Sequence, residues 1–167
     1  MKRSTAGGQM NYQAFKDAVE RYYRQLQPQE SESLEVLEAP RFNDFKMSME
    51  RDEETFQVLL FRFIDQKQLT DAEVYKKAFI SRQHFSKIRS DQFYIPKKET
   101  VMKFIVALEL TMSEAEDLLA VAGYAFATSF WLDVVILYCV EQHIFDALQI
   151  DTFLIEKGQP PLFSEKR

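Results

Sequence analysis

The sequence predicts an all-α fold, and three observations carry that prediction. Only 4 of 167 residues are glycine and 5 are proline, too few for the many tight turns of an all-β chain. The apolar runs repeat at the three-and-four spacing of a helix face, and none alternates as a half-buried strand does. Two Ser/Thr-x-x-Glu signatures, "TDAE" at 70–73 and "SEAE" at 113–116, read as capping boxes, in which the hydroxyl accepts from the third helical amide and the glutamate reaches back to the cap amide. Hydrophobic residues make up 46% of the chain and aromatics 14%. That is enough for a packed core and excludes a wholly disordered chain.

The elements follow in order. Residues 1–9 read as a tail. "NYQAFKDAVERYYRQLQ" (11–27) is an amphipathic helix with Phe15, Val19, Tyr22, Tyr23 and Leu26 on one face, so 1–27 forms a tail and arm that packs either on the main domain or on a second copy. Residues 28–52 read as an acidic linker, with 9 acids against 3 bases over 30–54. A denser helical region spans 53–123. It begins with "EETFQVLLFRFIDQK", whose apolar face is Phe56, Leu59, Leu60 and Phe63. Thr70 then starts "DAEVYKKAF", Ser81 caps "RQHFSKIRS", and Pro96 suits the first turn of "KKETVMKFIVALEL". Ser113 starts "EAEDLLAVA", with Gly123 just past its end. A helical extension covers 124–162, with Thr128 or Ser129 as cap of "FWLDVVILYCVEQ" and Asp151 as cap of "TFLIEK" before Gly158. Residues 163–167 read as a tail.

The run "TDAEVYKKAFISRQHFSKIRSDQFYIPKKETVMKFIVALELTMSEAEDLL" places a short capped helix, a tight turn, a basic helix, a proline-containing loop and two more helices in succession. Ala78, Ile80, Ser81, Phe85, Ser86, Ile88, Pro96, Glu99, Thr100 and "ALEL" fall where the Cro/C1-type, or XRE-like, helix-turn-helix family expects them. The chain resembles that family over about 70 of its 167 residues. The resemblance implies a five-helix Cro/C1-like helix-turn-helix domain, with an N-terminal helical arm and a C-terminal helical extension. It also implies a DNA-binding regulator of transcription, bacterial and cytoplasmic, reading DNA with helix 81–90. Two positions depart from the pattern. Phe79 stands where the family's turn has glycine, and Tyr75 where a small residue separates the two helices. More loosely, the chain to about residue 162 resembles a bacterial module sometimes attached to macrodomain proteins, which implies no mechanism.

Charge distribution points the same way. The net charge is −5, yet residues 71–103 carry +4 and the rest −9, a segregation that suits an anionic partner as well as a solvated face. With Phe85 and Ile88 turned inward, Gln83, Ser86, Lys87 and Ser90 point the opposite way, with Arg82 and His84 on the flanks. Arg82, Gln83, Ser86 and Lys87 are the candidate base readers, since Gln pairs with adenine and Lys with guanine. Arg89, Lys97 and Lys98 are the candidate phosphate contacts, which position without specifying. The expected partner is double-stranded DNA. A homodimer is expected through Phe130–Leu154, whose Trp131, Val134, Val135, Leu137, Tyr138, Ile144, Phe145 and Leu148 offer more apolar surface than a terminal helix pair buries. The competing reading is a helical protein-interaction adaptor on a diverged helix-turn-helix fold, motivated by Phe79, Tyr75 and the aromatic arm.

Other chemistry finds little support. His84 and His143 are the only histidines and lie in no ligand-spaced cluster, so no metal is expected. No glycine-rich phosphate loop occurs, so no nucleotide cofactor is expected. Cys139 and His143 share a helical face, but Cys139 sits among Val, Ile, Leu and Tyr, the setting of an inert buried thiol. The expectation is a protein that is not an enzyme and uses no cofactor. A single cysteine permits no intrachain disulfide and suits a reducing cytosol. "MKRSTAGGQ" leads into a mixed polar helix and not an apolar core, so no secretory signal is expected. "AFATSFWLDVVILYCV" is short for a bilayer span and contains Asp133, so it reads as a buried helix and no membrane partner is expected.

Overall fold

The computed structural model describes residues 10–27 and 54–164; the acidic linker expected at 28–52 lies outside them. The described residues form eight helices and no strand: α1 (Tyr12–Leu26), α2 (Phe56–Gln66), α3 (Asp71–Lys77), α4 (Arg82–Ser90), α5 (Lys98–Ala107), α6 (Met112–Val121), α7 (Trp131–Gln142) and α8 (Ala147–Glu156). The class is all-α. Among the described residues no helix is long and apolar enough to cross a membrane.

Helix starts are written mostly in single polar side chains. Asn11, Thr55, Thr70 and Ser81 each accept a hydrogen bond from a backbone N–H of the first turn, and Thr70 with Glu73 closes a full capping box. Four expected starts move. The second capping box joins Thr111 to Glu114, and Ser113 lies within α6. Leu110 is fully buried directly after α5, so the chain re-enters a helix at the next residue. α7 begins after Phe130 with no side-chain cap, so neither Thr128 nor Ser129 caps it. α8 is capped by Asp146, not Asp151. The earlier start places Ile150, Phe153 and Leu154 on one buried face. Pro96 precedes the cap residue Lys97 and lies outside the first turn of α5.

Six of the eight described helix ends share one device, α1 and α4 ending instead in extended residues, Gln27 and Asp91. Gln68, Phe79, Glu109, Gly123, His143 and Gly158 all take positive φ. The amide of the residue after each reaches back five positions: Leu69 to Ile64, Ile80 to Tyr75, Leu110 to Ile105, Tyr124 to Leu119, Ile144 to Cys139 and Gln159 to Leu154. This is the Schellman pattern, which satisfies carbonyls left open at a helix end. Glycine fills the left-handed position at Gly123 and Gly158 without strain. Phe79 (φ 53°) instead bears a Cβ where glycine is favoured. The tightness of the turn is set by Ala78 and Ile80, both buried on either side of it. Phe79 itself remains 57% exposed, with its ring edge-on to Phe163 at 5.6 Å. Tyr75 turns against Phe85, 5.9 Å between ring centroids.

α5 is the central helix, touching α3, α6 and α7, and α1 lies across α7 and α8. Phe15 and Val19 of α1 are fully buried, each contributing about 1.5–3 kcal/mol of burial. Phe15 meets Tyr138 and Phe153 edge-on at 5.9 and 6.4 Å. Tyr22 meets Tyr138 at 5.7 Å and Tyr23 covers Trp131 at 4.3 Å. Lys16–Glu156 (2.7 Å) and Lys157–Glu20 (2.6 Å) pin the two sides. The arm therefore packs in cis.

That docking takes up most of the surface on which the expected interface rested. Most of the apolar surface of Phe130–Leu154 is spent inside the chain: Val134, Val135 and Tyr138 are buried, and Trp131 is held between Tyr23, Phe153 and the Lys157 ammonium. Only Phe130 (64%) and Leu148 (77%) of the segment are large exposed hydrophobics. Cys139 is fully buried and its thiol pushed up by desolvation, with Asp146 adding to the effect. His143 leaves the α7 face at its left-handed end and is exposed.

The end of the described chain is not a loose tail. Asp151, 4% exposed in mid-α8, accepts hydrogen bonds from the Leu162 amide (2.7 Å), the Phe163 amide (3.0 Å), the Ser164 amide (2.8 Å) and the Ser164 hydroxyl (2.7 Å). This strap buries Leu162 and Phe163.

Candidate nucleic-acid interface

α3 and α4 are joined by the turn Ala78–Ser81, and α4 buries only Phe85 and Ile88. A nine-residue helix with two inward residues presents the rest of its circumference outward. Arg82, Gln83, Ser86 and Lys87 are all exposed. Among the described residues none of their side chains takes part in a hydrogen bond or ion pair, and Lys87 only leans over the Tyr94 ring at 5.8 Å. The structure thus brings the four expected base readers together on one open face.

The three expected phosphate contacts divide. Lys97 is exposed at the start of α5 and forms no ion pair among the described residues. Arg89 is paired on the surface: its guanidinium meets Asp71 and stacks 4.2 Å from the Phe61 ring centroid while remaining exposed. Lys98 is the counter-charge of Asp133, which is 2% exposed. Its Nζ lies 2.9 Å from each carboxylate oxygen. Only Oδ2 meets it in hydrogen-bond geometry, and that oxygen also accepts from the Ala127 amide at 3.3 Å. Burial raises the Asp133 pKa, with Lys98 opposing.

The loop after α4 is fastened by two side-chain contacts. The Tyr94 hydroxyl and His84 Nε2 share a hydrogen bond of 2.7 Å, and Tyr124 anchors the Pro96 carbonyl at 3.0 Å. Burial, with the nearby Lys103 and Lys87 charges, holds His84 below the usual imidazole range. Beside these anchors Phe93 and Ile95 stand 75% and 78% exposed. Sequence reasoning gave no part to Ile95, or to Lys76 and Lys77, which are exposed in the last turn of α3 just before the turn. Their only signal was the charge count of 71–103.

No protein-family model, curated protein or solved structure matches this chain.

Proposed function

We propose that the chain is a non-enzymatic DNA-binding regulator of the Cro/C1 type, with α4 as the helix that enters the major groove. The observation that supports this most is the pairing of α4's two faces. Phe85 and Ile88 fix the helix to the core, while Arg82, Gln83, Ser86 and Lys87 stand free on the other side. Lys87 and Arg82 supply donors to guanine and Gln83 a bidentate match to adenine. Lys97, with Lys76 and Lys77, supplies positioning charge. Arg89 and Lys98 act here through the fold, since their charges are already paired. One short helix reads few base pairs, so the proposal includes a homodimer on two half-sites. Its contact would use what the C-terminal helices leave open, Phe130 and Leu148.

The test is duplex binding followed by fluorescence anisotropy at stepped salt, then selection from random fragments. Gln83→Ala and Lys87→Ala should each cost about 1–3 kcal/mol on the selected site. Lys97→Ala should weaken binding to every sequence and flatten the salt dependence. An absence of salt-dependent duplex binding at low ionic strength removes this reading.

The exposure of Phe93 and Ile95 favours a second reading, a helical adaptor for another protein. A stoichiometric partner that survives nuclease treatment and is lost on Phe93→Ala with Ile95→Ala would select it.

A further inference from the structure

A cleft of about 580 Å³ lies between the start of α5 and the C-terminal strap, a volume typical of small-molecule sites. Its walls differ in chemistry. Phe130, Leu132 and Leu162 give an apolar side, while Lys97, Lys98, Lys103 and Thr100 line the other. Lys98 and Asp133 neutralise each other there, and the remaining carboxylate on the lining, Glu99, is solvent-exposed.

Lys103 is the informative residue. It is partly buried and forms neither an ion pair nor a hydrogen bond among the described residues. Desolvation lowers its pKa, opposed by the charge of Asp151. The oxygens of Asp151 are already occupied by the strap amides and Ser164. A cation taken partly out of water without a partner is costly, and this one borders the cleft. The Lys98 and Glu99 amides at the start of α5 add donors, since neither makes a hydrogen bond among the described residues, whereas the Thr100 amide already meets the Lys97 carbonyl.

We infer that this cleft binds a small organic phosphate, its phosphate group on Lys103 and Lys97 and its apolar body against Phe130, Leu132 and Leu162. Separate lysine point charges suit a phosphate monoester, which carries more negative charge than a carboxylate and offers three acceptor oxygens. The site shares Lys97 with the DNA reading, and Phe130 with the dimer contact of that reading, and does not depend on it.

The test is calorimetric titration of the full chain with phenyl phosphate, inorganic phosphate and phenol, beside a duplex titration. Phenyl phosphate should bind saturably and about tenfold or more tighter than phenol or inorganic phosphate, because only it engages both walls. Lys103→Met should weaken it by about tenfold, as loss of a charge-assisted contact does. The same variant should leave duplex affinity unchanged and not lower the melting temperature. Lys87→Ala should bind phenyl phosphate as wild type does. If Lys103→Met does not fold, Thr100→Val serves, with a loss of about threefold expected for one hydroxyl contact. The inference is overturned if phenyl phosphate shows no saturable binding at about 10 mM, far weaker than a built site allows. Wild-type affinity in the variant used overturns it too. So does a Lys103→Met defect confined to duplex binding, which would assign the phosphate to a nucleic-acid backbone.

Discussion

Replacing Asp151 by Asn should release the C-terminal strap. The carboxylate takes four donors from three consecutive residues, at 2.7 to 3.0 Å for the closest contact of each. An asparagine keeps one acceptor oxygen and turns an NH₂ group toward donors, so about half of these bonds are lost. If the strap detaches, Leu162 and Phe163 lose burial worth about 1.5–3 kcal/mol each. Backbone freedom returned to three residues, about 1–2 kcal/mol each, offsets most of that. The difference is then set by bonds to a charged acceptor, about 1.5–3 kcal/mol apiece, of which the equivalent of one is lost net once water replaces the rest. The expected destabilisation is about 2–3 kcal/mol, or roughly 5–10 °C in melting temperature for a domain of this size. Urea denaturation reads the free energy, and hydrogen exchange reads the amides of 162–164. A variant within about 0.5 kcal/mol of wild type, the range of inconsequential surface changes, with those amides still protected, would refute the clasp.

Lys98→Met leaves Asp133 buried without its counter-charge and should cost about 2–4 kcal/mol at neutral pH, somewhat less than a fully buried pair because Lys98 is partly exposed. Asp133 titrates above its unfolded value when folded, so the fold prefers it protonated. The deficit should be greatest above the folded pKa and shrink as pH falls through it; a pH-independent deficit in denaturation curves would contradict this. Phe79→Gly relieves left-handed strain and Phe79→Ala does not, while both lose the Phe163 contact. The glycine variant should be the more stable of the two by about 1 kcal/mol, and the reverse order would discredit the strain. His84 titrates below its unfolded value when folded, so the unfolded chain binds the proton first as pH falls below about 6.5. Stability should fall from there through the folded pKa and flatten in His84→Gln. An NMR titration placing His84 above the usual imidazole value would refute it.

What the sequence determined alone is local. The starts at Thr70 and Ser81 and the inward pair Phe85–Ile88 depend on contacts within four residues, so spacing and side-chain chemistry suffice to read them. Ser113, Thr128 and Asp151 looked like caps on the same grounds, but a side chain able to cap does not choose the helix phase when burial of a neighbouring face decides it. Tertiary structure alone settled which charges are spent. Arg89 meets Asp71 18 residues away, Lys98 meets Asp133 across 35, and Lys157 meets Glu20 across 137. It also covered Trp131 and Tyr138 with α1, which spends on the core apolar surface that looked free in the sequence. The open face of α4 was visible in the sequence because a helix's own period generates it. The cleft beside Lys103 was not, because its walls come from α5, α7, α8 and the strap, brought together only by the fold.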